Sequence, residues 1–232
     1  MTDVTIDFQG EELCSPWLPI AGNAPAVLVL PTVMGIGDLE VEFARRLNAL
    51  GYHALVGDLF GTVNRGAPRE IMFPELQRLK GDRPTLLRRL QALMQAMLGQ
   101  PGVDPGKVAV IGYCFGGLCA LDLARSGATL AAAASFHGLF DPPGMEPQKF
   151  ATRVVAYHGW DDPMVPPDAV TALAAELTAA GADWQIHGYG HVGHGFTNPH
   201  AGRMGVAGVG YNALAAKRSW ASLELLLAEA FE

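Results

Sequence analysis

Two kinds of hydrophobic pattern alternate along the chain. Short continuous apolar runs occupy residues 26–30, 53–56, 107–111, 131–136, 153–157 and 184–187. Between them lie longer stretches in which apolar residues recur every three or four positions, the period of a helix with one buried face. Over residues 39–50 those positions are Val41, Phe43, Ala44, Leu47 and Leu50, with Asp38 ahead of them and Gly51 closing the pattern. Similar patterns predict helices over 84–100, 118–125, 168–180 and 211–231. The apolar runs do not alternate with polar residues, which marks strands buried on both faces. Residues 62–82 scatter Gly, Pro and Arg and read as a loop, and loops of that length are often functional. Weak alternation at 4–10 and 17–20 predicts an antiparallel hairpin at the sheet edge.

Strands buried on both faces and separated by helices predict the α/β class, a mostly parallel twisted sheet with helices on both sides. No break in composition divides residues 1–232, so one domain is expected. An apolar fraction of 50% with only 17% charged residues excludes intrinsic disorder. Charge excludes further classes. Sixteen Lys and Arg against 23 Asp and Glu leave a net −7 with no basic cluster, so neither a nucleic acid nor an anionic membrane surface is the expected partner. No apolar run reaches membrane-spanning length. The opening MTDVTIDFQGEEL carries acids where a signal peptide carries a basic and then an apolar segment, which points to the cytosol. Three cysteines, Cys14, Cys114 and Cys119, are too few and odd in number for a disulfide framework.

One stretch concentrates chemistry. In Val108-Ala-Val-Ile-Gly112-Tyr-Cys114-Phe-Gly116-Gly117, a buried strand runs through Gly-x-Cys-x-Gly straight into a helix. That is the context of a nucleophile elbow, in which a strained turn lifts the central side chain above the carboxyl edge of the sheet. The helix N-terminus there favours a thiolate. Cys119 lies five residues on, roughly 140° round the helix at 100° per residue, and reads as a packing residue. A nucleophilic thiol needs a base, and the base needs an acid to orient it. Two later strand ends supply both types: His158-Gly-Trp-Asp161-Asp162-Pro, then Tyr189-Gly-His191-Val-Gly-His194-Gly-Phe196. The order Cys, then Asp161 or Asp162, then His191 or His194 is the nucleophile–acid–His order of the α/β-hydrolase fold. His191 and His194 form His-x-x-His, yet no third ligand stands at a suitable spacing, so no metal is expected.

These motifs resemble the dienelactone hydrolase family, carboxymethylenebutenolidase-like members of the α/β-hydrolase superfamily. The likeness runs from Val27-Leu-Val-Leu-Pro31 through Gly51-Tyr52 and Asp58-Leu-Phe60 to the terminal Tyr211-Asn helix. The resemblance places the nucleophile at Cys114, the acid at Asp162, immediately before Pro163, and the base at His194, within His-Gly-Phe. It implies cleavage of a small ester or lactone through an acyl thioester, with no cofactor. The amide after the nucleophile, on Phe115, is one expected oxyanion donor, and the resemblance puts the second on Val33. A substrate pocket is expected from Thr32, Met34, Phe60, Trp160 and Phe196. The chain departs from the family's best-known members where substrate is held. Thr32 stands where they carry a glutamate that holds the resting cysteine, and Asp58-Leu-Phe-Gly-Thr62 and His194-Gly-Phe-Thr-Asn198 lack their two carboxylate-clamping arginines. Arg65, Arg69 and Arg203 are the candidate substitutes. A monomeric enzyme is the expectation, with a non-catalytic scaffold binding a small molecule or protein as the alternative.

Overall fold

The computed structural model describes residues 1–144 and 148–232. Eight strands form one sheet: β1 (Thr2–Phe8), β2 (Glu11–Leu18), β3 (Ala24–Leu30), β4 (His53–Val56), β5 (Val103–Tyr113), β6 (Ala132–Phe136), β7 (Arg153–Gly159) and β8 (Trp184–Tyr189). Their spatial order is β1-β2-β4-β3-β5-β6-β7-β8. From β4 to β8 every pairing is parallel, while β1 and β2 pair antiparallel, as does β2 with β4.

The lack of alternation in the strands has the expected cause. Along β3, Ala26, Leu28 and Leu30 enter one apolar core while Val27 and Val29 enter another on the opposite face. Along β5, Val108 and Val110 part from Ala109, Ile111 and Tyr113 in the same way. The first face is covered by α2 (Arg69–Gly81), α3 (Arg83–Leu98), α4 (Phe115–Arg125) and α5 (Pro167–Ala180). The second is covered by α1 (Asp38–Ala49), through Phe43, Ala44 and Leu47, and by α6 (Ala213–Ala230), through Trp220, Leu223 and Leu227. The helices other than α4 contribute residues three or four apart, so a single stripe is removed from water, whereas α4 is buried on every side.

Two stretches differ from the sequence expectation. Residues 62–82 are not a loop throughout, because α2 occupies most of them. Met72, Leu76 and Leu79 have helical spacing and are buried, whereas Pro74, which reads as a helix breaker, sits on the exposed side. The Glu70 carbonyl that Pro74 leaves unbonded can therefore be met by water. The hairpin forms, but its second strand is Glu11–Leu18 rather than 17–20. Polar residues hid it. Buried Ser15 receives the Asp58 N–H, and Glu11 pairs with the buried Arg89 side chain, so partners satisfy polar groups that make the pattern look unlike a strand.

Candidate active site

Cys114 sits between β5 and α4 with φ 54° and ψ −113°, a backbone conformation that costs on the order of 1–3 kcal/mol for a residue with a side chain. The turn is held by the surrounding glycines. A Cβ on Gly112 would lie 1.9 Å from the Gly116 carbonyl oxygen, and one on Gly116 would lie 2.2 Å from that of Leu30. Strand, turn and helix thus touch through backbone alone, and the Cys114 N–H donates to the Phe136 carbonyl at 3.0 Å. The thiol is partly buried at the mouth of the elbow, and all three cysteines are free.

The acid and the histidine arrive on two loops joined to each other. The Asp161 N–H donates to the Val192 carbonyl at 2.9 Å, and the His194 N–H and C=O pair with the Gly208 C=O and Gly210 N–H at 2.8 and 3.0 Å. Within this frame His194 Nδ1 lies 2.7 Å from Asp162 Oδ2, both side chains being almost wholly buried. The other carboxylate oxygen, Oδ1, accepts the Met164 N–H at 2.8 Å. Burial alone pulls the His194 pKa down. The neighbouring Cys114 and Asp162 outweigh it and hold the imidazole up at about 10. His191 and Asp161, by contrast, meet at 3.7 Å with the His191 ring fully exposed. The structure joins His194 to Asp162, places Cys114 near enough to influence the imidazole, and leaves the neighbouring acid and imidazole in solvent.

Two further histidines flank this group. His137, at the end of β6 with φ 38°, lies edge-on to His194 at 5.2 Å and bonds Thr197 Oγ1 through Nε2 at 2.8 Å. His158 is fully buried at the end of β7, with neither ring nitrogen partnered among the described residues. Burial pushes both histidines' pKa values down, which keeps the rings uncharged. His137 went unread in the sequence. Its one signal was its position, immediately after a buried strand at the carboxyl edge.

Residues 32–37 form the facing loop. The Met34 and Gly35 N–H groups are taken up by the Thr32 hydroxyl at 3.3 Å and carbonyl at 3.0 Å. The amides of Val33 and Phe115 have no partner among the described residues. Phe60 lies 5.8 Å from the Phe115 ring, and Phe60 and Met72 both pack against Gly35. Met34 and Trp160 are 39% and 46% exposed, so they present apolar surface to solvent. Phe196 differs from its expected place in the pocket. It is fully buried between His137 and Tyr189, a packing residue beneath the His194 loop. Two of the three substitute arginines are engaged, and the third stands on the surface. Arg65 pairs with Asp58 and the Cys14 carbonyl, Arg69 reaches the Met204 carbonyl at 3.4 Å and lies over the Phe73 ring, and Arg203 is exposed on the short turn Ala201–Met204. A cavity of about 640 Å³ lies elsewhere, between α4 and α5, and includes none of these residues. No helix among the described residues is long and apolar enough to cross a membrane.

Known proteins give the constellation its context. A crystal structure of a dienelactone hydrolase-like promiscuous phosphotriesterase from metagenomic libraries superposes with a TM-score of 0.91 at 35% identity, covering 99% of this chain and 98% of that one. An α/β-hydrolase from a deep-sea metagenome, 20% identical over 98% of each chain, shares the fold with a TM-score of 0.63. The carboxymethylenebutenolidase of Pseudomonas putida is 26% identical over 188 residues, 77% of each chain. Residues 15–231 match the family described as the dienelactone hydrolase family. The chain therefore belongs to the dienelactone hydrolase family, hydrolases of the α/β-hydrolase fold.

Proposed function

We propose that the protein hydrolyses small, uncharged carboxylic esters or lactones through a thioester on Cys114, with His194 and Asp162 completing the triad. One observation carries the reading: an imidazole 2.7 Å from a buried carboxylate, with a cysteine on a strained elbow near enough to raise its pKa. In the resting pair the thiolate attacks the carbonyl carbon, and the imidazolium gives its proton to the departing alkoxide. Acylation removes the negative charge from sulfur, and with it the largest influence raising the His194 pKa. Having given up its proton, the imidazole is neutral and takes a proton from water as the water oxygen attacks the thioester. The thiolate departs, the acid product forms, and the imidazolium–thiolate pair is restored. Asp162 fixes the tautomer that presents Nε2 to the sulfur. The uncommitted Val33 and Phe115 amides suit the oxyanion, each worth on the order of 3 kcal/mol of barrier.

The engagement of Arg65 and Arg69, with Arg203 out on an exposed turn, argues for a substrate without a carboxylate, since a clamp needs a free bidentate guanidinium at the site. Exposed Met34 and Trp160 fit an apolar acyl or alcohol group. We place the enzyme in the cytosol as a single-domain monomer, where free thiols stay reduced. The test is a panel of neutral and carboxylate-bearing esters and lactones, with a phosphotriester added because a structural relative is named for that activity. Neutral esters should turn over fastest, and Cys114→Ala should abolish the activity. Undiminished turnover in Cys114→Ala, or no turnover on the whole panel, would overturn the reading in favour of a binding scaffold.

A further inference from the structure

Glu40, on the first turn of α1, is 5% exposed, and no cation pairs with it among the described residues. A lone buried carboxylate is costly unless hydrogen bonds meet it. Its Oε2 accepts the Gly37 N–H at 3.0 Å, and the amides of Thr32 and of Glu40 itself also face the carboxylate. Burial nonetheless pushes the Glu40 carboxyl upward against the pull of these amides. Thr32 and Gly37 are the two ends of the loop that carries Val33. With Met34 and Gly35 bonded back to Thr32, Val33 holds a free amide beside them. Glu40 also lies close enough to Tyr113, the residue before Cys114, to act electrostatically on its buried hydroxyl. The carboxylate therefore ties the end of the loop that carries Val33 to the start of α1.

We infer that Glu40 is a positioning residue for the oxyanion site: its carboxylate gathers the amides at both ends of loop 32–37 and thereby fixes the Val33 N–H relative to Cys114. The inference rests on the proposed Cys114 chemistry and adds the residue that organises its second oxyanion donor. A rigid donor matters because a misplacement of about 1 Å can cost on the order of 100-fold in rate.

The test compares three variants, each assayed for neutral-ester kinetics and for the rate of Cys114 alkylation by iodoacetamide, which forms no oxyanion. Glu40→Leu keeps the volume but offers no acceptor. It should lower kcat by at least about tenfold, with KM and the alkylation rate within about twofold of wild type. Glu40→Gln keeps an acceptor oxygen and should restore most of kcat. Glu40→Ala should behave like Glu40→Leu. An unchanged kcat in Glu40→Leu would overturn the assignment. So would parallel losses of kcat and alkylation, which would mean a general disturbance of the site. If Cys114→Ala stays active, the thioester reading fails first; if it is dead while Glu40→Leu is unimpaired, only the role of Glu40 fails.

Discussion

Two histidine–aspartate pairs lie side by side at the carboxyl edge of the sheet, built from adjacent acids and from imidazoles three residues apart. Asp161 and His191 face water, with the ring fully exposed and 3.7 Å between Nδ1 and Oδ2. Asp162 and His194 are closed off, 2.7 Å apart, with both carboxylate oxygens committed. Exposed pairs are screened by solvent and ions and pay side-chain entropy for little gain. A buried pair feels a lower dielectric, so each neighbouring charge moves its pKa further. The same two residue types thus become a solvated loop in one place and a buried pair with a strongly perturbed histidine in the other. The difference lies in the environment.

Mutation should separate the pairs widely. His194→Ala is expected to reduce kcat on a neutral ester by about 10⁶-fold, and Asp162→Asn by about 10⁴-fold, the smaller loss because the imidazole remains. His191→Ala and Asp161→Asn should each stay within about twofold of wild type. Comparable losses in the exposed pair would erase the distinction.

A subtler separation concerns protons. Ring NMR should find His194 protonated up to about pH 10, and Cys114→Ala should move that titration down, because it removes the sulfur charge and hydrogen bond. The sign for stability follows. A folded pKa of about 10 against 6.5 in an ordinary histidine contributes stability that is complete below pH 6.5 and is lost as pH rises toward 10. Urea unfolding across that window should show the decline, and Cys114→Ala should flatten it. The smallest expected effect is that of salt: raising ionic strength should leave kcat/KM on a neutral ester nearly unchanged, because the working pair is buried.

Much of this was legible in the sequence. Gly112-Tyr-Cys114-Phe-Gly116 between an apolar run and a helical pattern specifies the elbow, because only glycine permits the backbone approaches found there. The order of Cys, Asp and His placed all three at strand ends. The residues alone left Asp161 and Asp162, and His191 and His194, as alternatives, since neighbours in one turn differ only in which way the backbone aims them. The helix α2 was hidden by Pro74, whose cost depends on which side of the helix faces water. Glu40 was invisible as a loop organiser because its partners are backbone amides, which carry no sequence signature. Phe196 was misplaced for a related reason, since sequence puts it beside the histidine without saying which side of the loop is filled.

The most direct test of the account traps the intermediate. Enzyme mixed with a slowly hydrolysed neutral ester, quenched in acid within one turnover and digested, should yield a single acylated peptide containing Cys114, heavier by the mass of the acyl group. Steady turnover with no acyl adduct at any quench time, or an adduct on another residue, would contradict it.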